Sequence, residues 1–177
     1  MIGSSHRRIA LVGNSGSGKS TLAQRLAAAW ALPVRHVDLI FWQPNWVCTE
    51  EKTFVAFHDQ WLTEDTWLIE GVGYWQPLLR RFTAANLILF LDTPRDVCHQ
   101  RAAQRRQEED AAPNPFISPN CRYQSVQEQQ REIIDTFDAS TRPALLKLLE
   151  TEFARPPRQV RVLDGRASVG ELVRQLA

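Results

Sequence analysis

The chain has 177 residues, of which 44% are hydrophobic and 23% are charged, as in an ordinary globular protein. Its net charge of +1 gives no reason to expect nucleic acid or an anionic membrane as a partner. No apolar run approaches the ~18 residues of a membrane span, and Met1 to Arg8 lacks the apolar core of a signal peptide. We therefore expect one cytoplasmic domain, residues 1–177, that is monomeric or weakly self-associating.

The first predicted elements are a strand, a glycine-rich turn and a helix. Residues 9–12 form a short apolar run typical of a buried parallel strand, and 21–30 contains strong helix formers. The turn between them fits the phosphate-binding pattern G-x-x-x-x-G-K-[ST]. In this pattern, backbone N–H groups surround the phosphates, the lysine reaches the β- and γ-phosphates, and the hydroxyl binds Mg²⁺. The predicted nucleotide-binding residues are Gly13, Asn14, Ser15, Gly16, Ser17, Gly18, Lys19, Ser20 and Thr21. Lys19 is also predicted to be catalytic.

The rest of the chain alternates between apolar strands and helices. Strands are predicted at 33–38, 67–70, 86–91 and 159–163, and helices at 49–64, 76–82, 94–109, 125–137, 144–150 and after 168, with a loop at 39–46. Five strands that alternate with helices predict an α/β fold with a doubly wound parallel sheet. Ligands of such sheets lie at the carboxyl ends of the strands. The polar or glycine residues predicted at those ends are Gly13, Asp38, Glu70, Asp92 and Asp164.

Several helix ends are predicted from capping patterns. Thr49 and Thr93 are suited to the position before a helix, the latter with Pro94 as the first helical residue. Capping boxes are predicted where Ser125 and Ser168 are each followed three residues later by glutamate. Pro143 is expected to interrupt the helix that begins after Ser125.

The order of these parts resembles the adenylate-kinase-like P-loop kinases over nearly the whole chain. Three groups of residues carry the resemblance beyond the glycine-rich turn. The first is Leu91 to Pro94, followed by Arg101, Arg105 and Arg106, and the second is Arg131 with Arg142. The third is Val162 to Gly165, followed by Ser168 and Val169. The segments 36–47 and 67–71 more closely resemble the DNA-topology-modulation subgroup. The resemblance implies a P-loop NTPase three-layer sandwich with a five-stranded parallel sheet of order 2-3-1-4-5. It also implies ATP and Mg²⁺ as cofactors, a helical acceptor-binding insert (about 39–65) and a lid (about 107–125).

The arginines after the fourth strand are candidates for phosphate contacts. Arg101, Arg105 and Arg106 share one face of a predicted helix that leads into Asp110–Tyr123, the lid segment. Because lid closure would bring guanidinium groups onto the transferring phosphate, we predict Arg101 and Arg105 as catalytic and nucleotide-binding residues. Arg142 is predicted to bind the nucleotide as well. A solvated helix face is the alternative.

Two carboxylates are predicted to act beside Lys19. Asp38 is a candidate catalytic residue, as the base or the positioner of an acceptor hydroxyl, and Glu70 is predicted to hold Mg²⁺ with Ser20 or to orient the acceptor. The alternative for both is a carboxylate that fixes a loop. Trp42 and Tyr74 are predicted to line an acceptor pocket, whereas Phe41, Trp46 and Trp75 are assigned to the core.

The remaining chemistry-bearing side chains receive no catalytic role. Cys48, Cys98 and Cys121 are expected to be free thiols, and the histidines His36, His58 and His99 share no metal-ligand spacing.

The predicted function is ATP-dependent phosphoryl transfer to a small-molecule hydroxyl, or to a nucleotide or nucleoside. A phosphate-bearing acceptor needs an arginine clamp, but Tyr74 stands where the related enzymes have one arginine, and the insert's only cation is Lys52. This pattern favours an acceptor without phosphate, unless Arg80 or Arg81 supplies the clamp. The alternative function is a regulatory nucleotide-binding ATPase without a small acceptor.

Overall fold

The computed structural model describes residues 7–176. Residues 1–6, which form most of the stretch considered above for a signal peptide, and residue 177 lie outside the described residues. The strands are β1 (Arg8–Gly13), β2 (Val34–His36), β3 (Trp42–Gln43), β4 (Val47–Cys48), β5 (Trp67–Glu70), β6 (Leu87–Asp92) and β7 (Gln159–Asp164). Five of them form a parallel sheet of order β2-β5-β1-β6-β7. With the short β3–β4 hairpin set aside, this is the predicted order 2-3-1-4-5, which is confirmed.

The helices are α1 (Lys19–Trp30), α2 (Asp38–Phe41), α3 (Glu51–Leu62), α4 (Trp75–Ala84), α5 (Arg95–Glu108), α6 (Gln127–Thr136), α7 (Arg142–Leu148) and α8 (Val169–Leu176). Within the described residues, no helix is long and apolar enough to cross a membrane.

The central strands are buried on both faces of the sheet. Ala10 and Val12 of β1 pack into one core with Phe90 and Phe82, whereas Ile9 and other residues of the strand's opposite face join a second core with α1 and α8. Burial on both sides explains why these strands are continuous apolar runs rather than alternating ones. The sheet is thus the middle layer of three, and the carboxyl ends of its strands meet at one edge.

The segment predicted as a loop at 39–46 is instead a short helix and a hairpin. α2 begins at Asp38, and the β3–β4 pair places Trp42 opposite Cys48. The chain reverses between the two strands because Asn45 and Trp46 have positive φ values of 63° and 61°. The loop prediction was wrong because two-residue strands leave almost no periodicity in a sequence.

Three of the predicted helix caps are wrong. Glu50 precedes α3, and the backbone N–H of Thr49 donates instead to the Phe41 carbonyl at 2.8 Å. Pro94 precedes α5, while the buried Thr93 donates its hydroxyl to the Ser17 carbonyl at 3.1 Å. Ser125 lies in a 3₁₀ turn and donates to the Arg122 carbonyl at 2.7 Å. The hydroxyls of Thr93 and Ser125 are thus donated to other carbonyls, and Thr49 lies one residue before the position that precedes α3.

The other two predictions about helix ends have mixed outcomes. The Ser168 capping box is confirmed, since the Ser168 N–H donates to Glu171 at 2.7 Å and the Glu171 N–H donates back at 3.3 Å. Pro143 does not break the helical path from α6 to α7. A π-helical turn at Phe137–Thr141 joins the two helices, and Pro143 lies in the first turn of α7 directly after it.

The sheet offers a direct test of how much its buried face contributes to stability. Phe90 of β6 is fully buried, whereas its register partner Val162 on the edge strand β7 is 54% exposed. We expect Phe90→Ala to lower the free energy of unfolding by about 3–5 kcal/mol, because it leaves a cavity in the core. Val162→Ala, the matched control, should change it by no more than about 0.5 kcal/mol. Urea unfolding measures both values, and equal effects would contradict the described core.

Candidate nucleotide and acceptor site

The glycine-rich turn between β1 and α1 includes a position, Gly16, where only glycine can be accommodated. Gly16 has a φ of +76°, and a Cβ atom there would lie 2.4 Å from the carbonyl oxygen of Cys98 in α5. The Ser17 N–H donates to the Asn14 carbonyl at 3.1 Å and closes the turn. The buried Asn14 side chain donates to the Ile134 carbonyl of α6 at 2.9 Å. The turn is therefore held against α5 on one side and α6 on the other.

The start of α1 is arranged to receive an anion. Gly18 precedes the helix with φ 96° and provides no side-chain cap, so the N–H groups of the first turn are available to a ligand. The Nζ atom of Lys19 lies over the turn and donates to the Asn14 carbonyl at 3.3 Å. Lys19, Ser20 and Thr21 line the same cavity as the turn itself.

Ser20 and Glu70 form the pair predicted to hold Mg²⁺. The Ser20 hydroxyl donates to Glu70 Oε1 at 3.0 Å, and Glu70 Oε2 is buried without a hydrogen-bond partner. Burial alone would raise the pKa of Glu70, but the hydrogen bond from His36 and the charge of Lys19 outweigh it and lower that pKa. An ionised carboxylate with an unpaired oxygen beside a hydroxyl suits a hard cation.

The metal site would need phosphate oxygens to be complete. Among the described residues, no group of three or more His, Cys, Asp and Glu side chains could hold a metal by itself. In general, Mg²⁺ keeps several waters and shares its coordination with substrate phosphates, so it needs few protein ligands.

His36, to which the sequence analysis assigned no chemistry, lies directly behind Glu70. Its Nδ1 atom is 2.7 Å from Glu70 Oε1, and Gln24 Nε2 is 2.9 Å from its Nε2 atom. When Gln24 donates to Nε2, the ring proton is on Nδ1 and is donated to Glu70. Phe116 of the lid segment stacks on the same ring, with centroids 4.1 Å apart. The only sequence signal for this role was the position of His36 at the carboxyl end of a strand.

Asp38 is the first residue of α2, two residues after the end of β2, and lines the cavity together with Lys19. Burial raises the pKa of Asp38, the charge of Lys19 opposes this rise, and the charge of Glu70 reinforces it. The pKa values of the two carboxylates are thus displaced in opposite directions. This is the pattern in which one carboxylate exchanges a proton while the other remains a fixed negative charge.

The three arginines predicted to share one face of α5, Arg101, Arg105 and Arg106, point to different places. Arg101 donates to the carbonyls of Ser17, at 2.8 Å, and Gly165, at 3.1 Å, and so ties the glycine-rich turn to the end of β7. Arg105 lines the cavity and lies over the Tyr123 ring, 5.0 Å from its centroid. Arg106 turns away to Gln130, at 2.7 Å.

Arg142 is engaged outside the cavity. Its Nε and one terminal nitrogen donate to the two oxygens of Asp92, each at 2.7 Å, and these bonds raise the pKa of Arg142. A nucleotide contact by Arg142 stays a prediction, and it would require this ion pair to open. Arg131 is exposed on α6.

The cavity has a volume of about 850 Å³ and runs from the glycine-rich turn to the insert. Its aromatic lining differs from the prediction. Trp42 lines it as expected, and so do Phe41 and Trp46, which were assigned to the core. Tyr74 does not, because its hydroxyl donates to the Thr49 carbonyl at 2.6 Å and its ring packs on Phe54. Trp75, also assigned to the core, is 40% exposed.

Neither arginine proposed as a substitute clamp reaches the cavity. Arg80 donates to Asp59 at 3.2 Å on the surface. Arg81 is fully buried and donates to the carbonyls of Gly71 at 2.9 Å and Val72 at 2.8 Å. Burial lowers the pKa of Arg81 to about 9, against the influence of Glu70. Arg81 therefore fixes the backbone under the cavity rather than a ligand.

The lid segment packs against the insert. As predicted, it contains no regular helix or strand before Tyr123. The Ser118 hydroxyl donates to the Trp42 carbonyl, and the Trp46 indole donates to the Arg122 carbonyl at 3.0 Å. Ile117, Cys121 and Tyr123 form a small apolar cluster against Trp42 and Trp46.

A parallel sheet of this order, with a phosphate-binding turn after its middle strand, defines a P-loop NTPase of α/β architecture. The NACHT domain family matches residues 7–111. Because this match covers more than half of the chain, the chain belongs to this family of P-loop NTPases. The match ends at residue 111, where the lid segment begins, so α6 and β7 lie outside the matched residues. A comparison with curated protein sequences finds no match.

Solved structures with the same fold include several small-molecule kinases. A gluconokinase from Sinorhizobium meliloti 1021 is 16% identical, with 99% of this chain and 90% of that chain covered and a TM-score of 0.56. An unliganded sugar kinase from Janibacter sp. HTCC2649 is 16% identical, with coverage of 96% and 91% and a TM-score of 0.55. A shikimate kinase from Acinetobacter baumannii, solved with shikimate, is 16% identical, with coverage of 97% and 90% and a TM-score of 0.54. At this identity the likeness shows the fold.

The first prediction for the site concerns Lys19. We expect Lys19→Ala to lower ATP turnover by about 100-fold or more, because a fixed positive charge is removed from the phosphates. The melting temperature should not fall, since Lys19 is not part of either core. Lys52→Ala, which removes an exposed cation from α3, is the matched control. Calorimetry of Mg-ATP binding and a coupled assay give the answer, and unchanged binding and turnover would refute the assignment.

The second prediction concerns the lid segment. Its backbone has few regular hydrogen bonds, so we expect rapid amide exchange without ligand and protection with a bisubstrate analogue. Phe116→Ala removes the stacking on His36 and should keep exchange rapid even with the analogue, whereas Pro119→Ala, at an exposed position, should not. Hydrogen exchange measured by mass spectrometry tests this. Equal protection of the wild-type segment in both states would rule out a lid.

Proposed function

We propose that this protein transfers a phosphoryl group from ATP to a hydroxyl group of a small molecule. The observation that carries the proposal is that Lys19, Ser20 and Asp38 line one cavity. The donor phosphates and the acceptor hydroxyl can therefore be held side by side. Phosphoryl transfer depends mainly on such positioning and on charge neutralisation.

In this proposal the two carboxylates have separate roles. Asp38 accepts or orients the acceptor's hydroxyl proton, because its raised pKa brings it closer to the range of an effective base. Glu70, whose pKa is lowered, remains ionised and holds Mg²⁺ with Ser20. When bound, Mg²⁺ supplies positive charge to the β- and γ-phosphate oxygens.

We propose a different role for each of the three arginines Arg101, Arg105 and Arg142. Arg105 is proposed to contact the transferring phosphate, because it lines the cavity and is held over Tyr123. Arg101 is proposed to act mainly by holding the turn through the Ser17 carbonyl, and to contact the nucleotide at the end of β7 near Gly165. Arg142 is proposed as a nucleotide contact that is released from Asp92.

A regulatory nucleotide-binding ATPase without a small acceptor is the second candidate. The NACHT family match favours it, because that match covers the nucleotide-binding part of the chain and names no acceptor. The acceptor side of the cavity, however, includes Pro115 and Phe116 of the lid segment, which lie beyond the matched residues. We therefore favour a kinase, and we assign it to the DNA-topology-modulation subgroup. We also propose that it acts in a reducing cytoplasm, where Cys48, Cys98 and Cys121 would stay free thiols.

The test of this proposal is whether ATP consumption depends on an acceptor. We expect slow hydrolysis of ATP alone and a large increase when a suitable alcohol is added. Asp38→Asn should lower the acceptor-dependent rate by about 100-fold or more, while Mg-ATP binding measured by calorimetry is retained. The control Asp65→Asn, at an exposed position in the insert, should be fully active. Rapid hydrolysis that no acceptor changes would favour the regulatory ATPase.

A further inference from the structure

We infer that the acceptor is an uncharged, hydroxyl-bearing molecule with a flat apolar face, an inference that rests on the proposed kinase function. It comes from the charges and side chains that line the acceptor end of the cavity. That end is the part formed by Asp38, the insert and the lid segment, away from the glycine-rich turn.

Among the described residues that line the cavity, no cation remains for an anionic acceptor once the donor phosphates are bound. Among the described residues that line it, Lys19 and Arg105 are the cations, and Asp38 and Glu132 are the anions. Both cations are required by the phosphates of the donor in the proposed reaction. Asp38 lies at the acceptor end, so an acceptor phosphate or carboxylate would meet a negative charge there without a compensating arginine.

Six arginines that do not line the cavity are each bonded to another partner. Arg80 and Arg122 pair with surface carboxylates, Arg81 and Arg101 donate to backbone carbonyls, Arg106 donates to Gln130, and Arg142 pairs with Asp92. Recruiting Arg81 would leave the buried Gly71 carbonyl and the partly buried Val72 carbonyl without this donor.

The side chains that surround the acceptor end are mostly apolar and flat. Trp42 and Trp46 meet edge to face with centroids 5.4 Å apart, and Phe41 contacts Trp42 at 4.8 Å. The Trp46 indole N–H is already donated to the Arg122 carbonyl, so its ring presents carbon surface to the cavity. Pro115 and Val72 add further apolar contacts. Rings of this kind bind an apolar face by stacking and burial, and leave Asp38 to select a hydroxyl.

Acceptors that differ only in charge test this inference. The pairs are a nucleoside with its 5′-monophosphate, and the methyl ester of shikimate with shikimate itself. ATP consumption is followed for each pair at equal concentration with wild-type protein. The uncharged member should be turned over at least about ten-fold faster, which corresponds to about 1.4 kcal/mol at the transition state.

A variant with one added cation makes the test independent of the particular acceptor. Cys48 is exposed on β4 and lines the cavity, so Cys48→Arg places a guanidinium at the acceptor end without disturbing either core. It should shift the preference toward the anionic member of each pair by at least about ten-fold, as a new charge-assisted contact forms. Cys48→Gln, which adds a polar side chain without charge, should keep the wild-type preference.

The outcomes separate this inference from the proposal on which it rests. Faster turnover of the uncharged members, together with the Cys48→Arg shift, supports the inference. Equal or faster turnover of the anionic members by wild-type protein overturns it but leaves the kinase function intact. ATP hydrolysis that none of the four compounds increases overturns the kinase function and the inference together.

Discussion

The hydrogen bonds to Glu70 are the interaction on which the site depends. A carboxylate that is almost completely buried is stable only when its charge is matched, and here Ser20 and His36 both bond the same oxygen while Lys19 lies near. These partners come from the start of α1 and the end of β2, on either side of β5. The carboxylate therefore fixes the start of α1 relative to the end of β2. Phe116 extends this arrangement to the lid segment through the ring of His36.

The sheet and the nucleotide end were predictable because their signals are local. A strand buried on both faces must be apolar throughout, and a turn that surrounds phosphate needs glycine at fixed places such as Gly16. The polar residues Asp38 and Glu70 were found by a topological rule, since parallel strands bring their carboxyl ends to one edge. None of these inferences required knowledge of which distant segments of the chain pack against each other.

The parts that could not be predicted depend on contacts between distant segments. Tyr74 was predicted to line the cavity, but its hydroxyl donates to the carbonyl of Thr49, 25 residues away. Thr93 matched a helix cap, yet it bonds the glycine-rich turn across 76 residues. His36 had no metal-ligand spacing because it serves a carboxylate rather than a metal. A sequence pattern states what a side chain can do locally, and tertiary packing decides which of several partners it finds.

The bond from the Asn14 side chain to the Ile134 carbonyl spans 120 residues and has a consequence for folding. The glycine-rich turn is synthesised first, but one of its fixed supports arrives only when α6 has formed. Arg101 adds a similar dependence, because its partner Gly165 follows the last strand. Contacts of such high sequence separation form late, since the intervening chain must first be ordered. These two bonds can both be present only after residue 165 has been synthesised, and residues 7–111 alone lack both of them.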